Sequence, residues 1–144
     1  MRVSDLLRTK GDAVATIAPD ATVREAVDSL RQHGIGALVV SADGRSIDGI
    51  VSERDVVRHL ASHGTDVLAL SVAEIMSAEV HTCGRQESLG QLMMLMTEQR
   101  TRHLPVTADG ALAGLVSIGD VVKGRLQELE DEARHLSDYI STGR

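Results

Sequence analysis

Aromatic side chains are almost missing from this chain: it has no Trp and no Phe, and Tyr139 is its single Tyr. The core must therefore be aliphatic, and the aromatic platforms on which many single-strand nucleic-acid binders stack bases are excluded. Cysteine is equally scarce. Cys83 stands alone, so no internal disulfide can form, which fits a reducing compartment. An excess of positive charge is lacking too, because 15 Lys and Arg face 21 Asp and Glu for a formal net charge of -6. Affinity for a phosphate backbone comes from clustered cations, so no nucleic-acid partner is expected. Local basic points, Arg54, Arg100 and Arg102 among them, remain able to meet one nucleotide. No apolar run approaches the roughly 18 residues that span a bilayer, and the opening MRVSDLLRTKG lacks the apolar stretch of a signal peptide. The expectation is a cytoplasmic protein with no membrane partner.

What is present is a repeat. Placing Val14 on Val80 aligns VATIAPDATVREAVDSLRQHGIGALVVSADG with VHTCGRQESLGQLMMLMTEQRTRHLPVTADG without a gap. Thr16 meets Thr82, Thr22 meets Ser88, Leu38 meets Leu104 and Gly44 meets Gly110. After one deletion, GIVSERD meets GLVSIGD, so that Gly49 matches Gly114 and Asp55 matches Asp120. A short amphipathic turn precedes each copy, as VSDLL and as VAEIM.

Each copy is legible by pattern. Residues 14–17 and 80–83 read as short extended segments. Thr22 and Ser88, with Glu25 and Gln91 three residues on, are the halves of capping boxes. Val23, Ala26, Val27 and Leu30 share one helical face, as do Leu89, Leu92, Met93 and Met96. GIGALVV and HLPV follow as strands, Asp-Gly pairs predict hairpin turns, and new helices start at Ser52 and Ser117. The order strand, helix, strand, strand, helix is thus performed twice. Half a unit cannot bury its own sheet face. The copies should therefore pack as one α/β (α+β) module with quasi-two-fold symmetry, followed by a helical extension. The expected divisions are 1–66, including the lead-in turn, 67–126, and 127–144.

The doubled order, the LPV strand and the paired Gly-h-h-Ser-x-x-Asp endings resemble a tandem pair of cystathionine-β-synthase (CBS) domains, a Bateman module, over about residues 3–126. The resemblance implies a regulatory sensor, often a disc-shaped dimer, that takes an adenosine-containing ligand between its repeats. AMP, ADP or ATP is the ligand expected here, with no cofactor required. Asp55 and Asp120, in the first turn of their helices, would accept from a ribose cis-diol, each such charged hydrogen bond being worth about 1.5–3 kcal/mol. Ser52, Ser117 and the helix-start amides would donate to sugar or phosphate, aided by the helix dipole. By position, the resemblance assigns Thr82, Cys83, Arg102, His103, Leu104 and Pro105 to the second pocket. It assigns Thr16, Ile17, Gly36, Ala37, Leu38 and Val39 to the first, with Arg54 as a phosphate partner. Gly119 stands where the first copy has Arg54, so the sites should be unequal. TRHLPV lies nearer the family pattern than GIGALVV, so base and ribose are expected in the second.

Other chemistries find less support. His81 and Cys83 alternate on one strand, with His103 the nearest candidate to join them, but no CxxC or HxxxH spacing links them, so no metal site is expected. His33, His59, His63 and His135 read as surface or helix-end residues. No G-x-S-x-G elbow or Walker-type loop is present, and no enzymatic activity is expected. Val122, Leu126, Leu129, Ala133, Leu136 and Ile140 form an a/d seam that could pack on the module or on a second subunit. Glu128, Glu130, Asp131 and Glu132 read as a solvated face. Gly124 should weaken that helix by roughly 1 kcal/mol relative to Ala. A homodimer read by an unidentified regulated protein is the expected assembly. The alternatives are a ligand-free dimerisation or scaffold module, in which the Ser-x-x-Asp groups are caps only, and a pair specific for NAD or S-adenosylmethionine.

Overall fold

The computed structural model describes residues 1–142; positions 143 and 144 of the expected extension lie outside the described residues. The chain runs α1 (Val3–Lys10), β1 (Thr16–Ile17), α2 (Val23–His33), β2 (Ala37–Val40), β3 (Gly49–Ser52) and α3 (Glu53–His63). A 3-10 turn (Gly64–Ala69) leads to α4 (Val72–Ile75), β4 (Cys83–Gly84), α5 (Leu89–Gln99), β5 (His103–Ala108), β6 (Ala111–Ser117) and α6 (Ile118–Thr142). Both predicted capping boxes form. Thr22 Oγ1 accepts from the Glu25 amide at 3.1 Å, and Ser88 Oγ accepts from the Gln91 amide at 3.2 Å. Among the described residues no helix is long and apolar enough to cross a membrane.

Two three-stranded sheets result, β1-β2-β3 and β4-β5-β6. Their registers correspond residue for residue. Ile17 pairs with Val40 and Cys83 with Val106 in parallel, while Ala37 pairs with Ser52 and His103 with Ser117 in antiparallel. The second sheet's outer strand begins at Cys83, so Thr82 precedes it rather than lying within it. The two Asp-Gly turns differ as well. Asp109 and Gly110, with φ of 52° and 75°, close a two-residue hairpin of the kind that demands positive φ twice. Asp43 instead organises the longer loop between β2 and β3. Its Oδ1 accepts from the Ser46 and Arg45 amides, both at 2.8 Å, and from the Ser46 hydroxyl, which together hold its carboxyl well below the usual range.

The lead-in turns are helices, and they are exchanged. Val3, Leu6 and Leu7 of α1 are buried with Leu89, Leu92, Leu104, Val116 and Val121, the core of the second repeat. Val72 and Ile75 of α4 are buried with Val23, Leu38, Val51 and Val67, the core of the first. The expected division at residue 66 therefore cuts across both cores, because each repeat's lead-in completes the other. Burying each such Leu or Val contributes roughly 1.5–3 kcal/mol, so the exchange ties the halves together. It also explains the Gly that opens each G-h-h-S-x-x-D. A Cβ on Gly114 would stand 2.8 Å from Leu7 Cδ2, and one on Gly49 would stand 2.5 Å from Met76 Sδ and 2.9 Å from the Ser77 carbonyl oxygen.

The C-terminal helix is continuous with the second repeat. Gly124, expected only to weaken it, is buried where a Cβ would come within 2.7 Å of Leu89 and 2.9 Å of Leu6. Glu128 is not solvated as expected, since it pairs with Arg125 and the Met1 amino group, both at 2.6 Å. The seam of Val122, Leu126, Leu129, Leu136 and Ile140 faces away from the module and is exposed.

Candidate functional site

Each Gly-h-h-Ser-x-x-Asp ends its sheet and starts a helix with the same polar geometry. Asp55 Oδ2 accepts from the Ser52 amide at 2.8 Å and from the Ser52 hydroxyl at 3.0 Å. Asp120 Oδ2 accepts from the Ser117 amide at 2.8 Å and from the Ser117 hydroxyl at 2.9 Å. The two Ser hydroxyls are therefore committed to their own carboxylates instead of being available to donate elsewhere. The first helix amides are engaged too, Glu53 N with the Gly36 carbonyl at 3.0 Å and Ile118 N with the Arg102 carbonyl at 2.8 Å. In each carboxylate one oxygen serves the cap, and Oδ1 makes no hydrogen bond among the described residues.

The two carboxylates part company at that point. Lys10, the last residue of α1, places its ammonium 2.5 Å from Asp120 Oδ2 and 2.7 Å from the Leu115 carbonyl. Partial burial opposes ionisation of Asp120, but the hydrogen bonds from Lys10 and from the Ser117 amide and hydroxyl outweigh it and hold the carboxyl below its ordinary value. Asp55 has no cation against it among the described residues. It is 8 % exposed and lines a cavity of about 230 Å³ between the repeats.

That cavity draws on both halves. Of the residues singled out in the sequence, Gly36, Ala37, Ser52, Arg54 and Asp55 line it from the first repeat, and Arg102 and His103 from the second. Thr82, Cys83, Leu104, Pro105, Ser117 and Asp120 do not, nor do Thr16, Ile17, Leu38 and Val39. The reasons are physical. Leu38, Val39 and Leu104 are fully buried core, and Cys83 is buried with its thiol pushed up to about 12 by burial and by the charge of Glu87. Thr82 is exposed. The expected preference for the second copy is thus not where the cavity lies. Sequence reasoning passed over Glu53, Arg58, Thr101, Ile50 and Ser77 as lining residues. Arg58 carried a usable signal, since it lies one helical turn after Arg54 on α3.

The cavity has a sheltered end and a cationic rim. Ala37 and Asp55 are buried and Ser52 and His103 half-buried, whereas Arg54, Arg58, Arg100 and Arg102 are all exposed. Among the described residues none of these arginines forms an ion pair. His103 is kept below its ordinary pKa by burial and by the nearby Lys10 and Arg102, against the opposing charges of Asp120 and Glu53. A neutral imidazole offers one donor and one acceptor, which suits reading a heterocycle edge. No group of His, Cys, Asp and Glu able to hold a metal is found among the described residues.

A doubled strand–helix–strand–strand–helix unit with a cleft between its copies defines a class, and sequence comparison names it. The CBS domain family matches residues 3–62 and 72–126, so the chain belongs to the CBS-domain family. It is 36% identical to the mitochondrial CBS domain-containing protein CBSX3 of Arabidopsis thaliana, over 98% of this chain and 72% of that protein. A CBS-domain-containing protein from Agrobacterium tumefaciens superposes with a TM-score of 0.84 at 46% identity, over 87% of this chain and 99% of the other. A CBS domain protein from Pyrobaculum aerophilum, solved as a complex with AMP, superposes with a TM-score of 0.74 at 26% identity, over 83% and 89% of the two chains.

Proposed function

We propose that this chain is a regulatory module that binds one adenine nucleotide between its repeats. The nucleoside lies at the sheltered end, its ribose diol donating to Asp55 and its base beside His103 and the backbone of Gly36 and Ala37. The phosphates lie on the arginine rim. One observation carries this reading: a buried carboxylate with an uncommitted oxygen stands in the same cavity as four exposed guanidiniums without partners. The AMP complex of the Pyrobaculum relative supports the ligand class. The cavity is slightly smaller than the ~300–1,000 Å³ usual for small-molecule sites, so a nucleotide would fill it and extend onto the rim. Lys10 pairs with Asp120 and offsets its charge, and Asp120 does not line this cavity, which supports one equivalent per chain. The rim also discriminates among adenosine ligands. NAD carries two phosphates and is accommodated, whereas the sulfonium of S-adenosylmethionine is repelled.

The module acts by binding rather than catalysis, and as a homodimer. The exposed seam of α6, with Val57 and Leu60 of α3 and Met94 of α5 also exposed, supports a second copy as the cover for these helices. A ligand that prefers one packing of the repeats or subunits shifts the population, and a regulated protein reads the shift. Melting curves with AMP, ADP, ATP, NAD and S-adenosylmethionine test the proposal. A ligand at a hundred times its Kd adds about 2.7 kcal/mol, several degrees for a chain of this size. Nucleotides should raise Tm and S-adenosylmethionine should not. Silence across the panel would leave the scaffold reading.

A further inference from the structure

One residue of the cleft lining sits in a strained backbone conformation. Arg100 ends α5 at φ 51°, ψ 41°, in the left-handed region. Among the described residues only Asp109 shares a positive φ without being glycine, and its hairpin turn requires it. The first repeat has Gly34 at the corresponding place, with φ 62° and ψ 39°, the residue that this helix ending favours. The backbone role is the same in both copies. Arg100 N donates to the Met96 carbonyl, as Gly34 N donates to the Leu30 carbonyl. What the second copy adds is a side chain, held at the expense of backbone strain, that lines the cleft. Among the described residues that side chain makes no ion pair and no hydrogen bond. Strain retained without a structural gain points to a ligand.

The surrounding charge says which kind. Four guanidiniums and two carboxylates line the cleft, an excess of positive charge in a chain whose net charge is -6. Each guanidinium presents a planar fork suited to two parallel hydrogen bonds with phosphate oxygens. A single phosphoryl group with three terminal oxygens offers three O–P–O edges for such two-pronged contact, one fewer than the four forks. We infer that Arg100, with Arg54, Arg58 and Arg102, sets specificity for a nucleotide carrying two or more phosphates over a monophosphate. This inference rests on the nucleotide reading above and names the part of the ligand that the rim selects.

Calorimetric titration of wild type, Arg100→Gly and Arg100→Lys with AMP, ADP and ATP tests it, alongside melting curves. In wild type, ATP should bind at least about tenfold more tightly than AMP, with ADP between. Arg100→Gly should melt at the wild-type temperature or a few degrees higher, because glycine relieves the left-handed strain. Its ATP affinity should fall by more than its AMP affinity, so that the ATP-to-AMP ratio drops to about threefold or less. Arg100→Lys should keep part of the preference. Equal AMP and ATP affinities in wild type would overturn the inference and leave nucleotide binding intact. A preference that survives in Arg100→Gly would overturn it, and so would a large loss of melting temperature in that variant, which would make Arg100 a packing residue. If no adenine nucleotide binds wild type, the nucleotide reading itself fails, and this inference with it.

Discussion

Residues 34–37 and 100–103 occupy the same place in the two halves, between a helix and the middle strand of a sheet. The first is Gly-Ile-Gly-Ala and the second Arg-Thr-Arg-His. Ile35 N and Thr101 N bond the Leu30 and Met96 carbonyls alike, yet the first of these segments supplies space and the second supplies cations. The Ser-x-x-Asp helix starts invert that relation. Asp55 faces the cleft, while Asp120 is held by Lys10 from the N-terminal helix. The cleft between the repeats therefore takes its buried carboxylate from one half and an arginine-rich strand start from the other. Duplication supplies two equal frames, and side-chain differences divide the labour between them.

The exchange of lead-in helices gives the largest handle on this comparison. Leu7→Ala should destabilise the protein by about 2–5 kcal/mol, the range for a buried Leu. Although Leu7 belongs to the first stretch of sequence, hydrogen exchange should rise in β4-β5-β6 before β1-β2-β3. Protection lost first around β2 would break the exchanged-core account. Gly49→Ala comes next, at about 1–3 kcal/mol, because a Cβ meets Met76 and the Ser77 backbone. Gly119→Ala is its control. The added Cβ would find only Ser117 Oγ, at 3.6 Å, and should leave Tm unchanged or slightly raised.

A smaller effect tests the Lys10–Asp120 pair by pH. Asp120 is held below its ordinary pKa in the folded protein, so its pairing stabilises above the unfolded-state value, near 4. That contribution is lost as pH falls through the lower folded value. Lys10 and Asp120 are both partly exposed, so solvent screening limits the pair to roughly 0.2–1 kcal/mol. Lys10→Ala should therefore lower Tm slightly at pH 7, and by progressively less as acid protonates Asp120. A loss that does not diminish with acid would assign Lys10 a packing role instead.

Local features of this fold were legible because they are written in short-range pattern. Thr22 with Glu25 and Ser88 with Gln91 announce helix starts, and the gapless match of Val14 to Val80 carries strand order and register with it. The family resemblance also survives comparison over most of the chain. What stayed hidden depends on contacts distant in sequence. Nothing in VSDLL says that Leu7 will lie under Gly114, or that Lys10 will reach Asp120 more than a hundred residues away. TRHLPV, favoured for a second pocket, supplies its Arg102 and His103 to the first carboxylate's side of the cleft for that reason. Gly124 illustrates the same limit. Helix propensity sees a weak residue, whereas the fold needs its missing Cβ for Leu6 and Leu89.

The most direct test sets the two carboxylates against each other. Asp55→Asn and Asp120→Asn are titrated with ATP beside wild type, after melting curves establish that both fold. At this third position of the capping box the Asn carbonyl can still accept from the Ser amide and hydroxyl, but it lacks the charge. With one nucleotide bound per wild-type chain, Asp55→Asn should weaken binding at least about tenfold, a loss of about 1.4 kcal/mol, and Asp120→Asn should change it by less than about threefold. The reverse ranking, with Asp120 essential and Asp55 dispensable, would contradict the division of roles between the repeats.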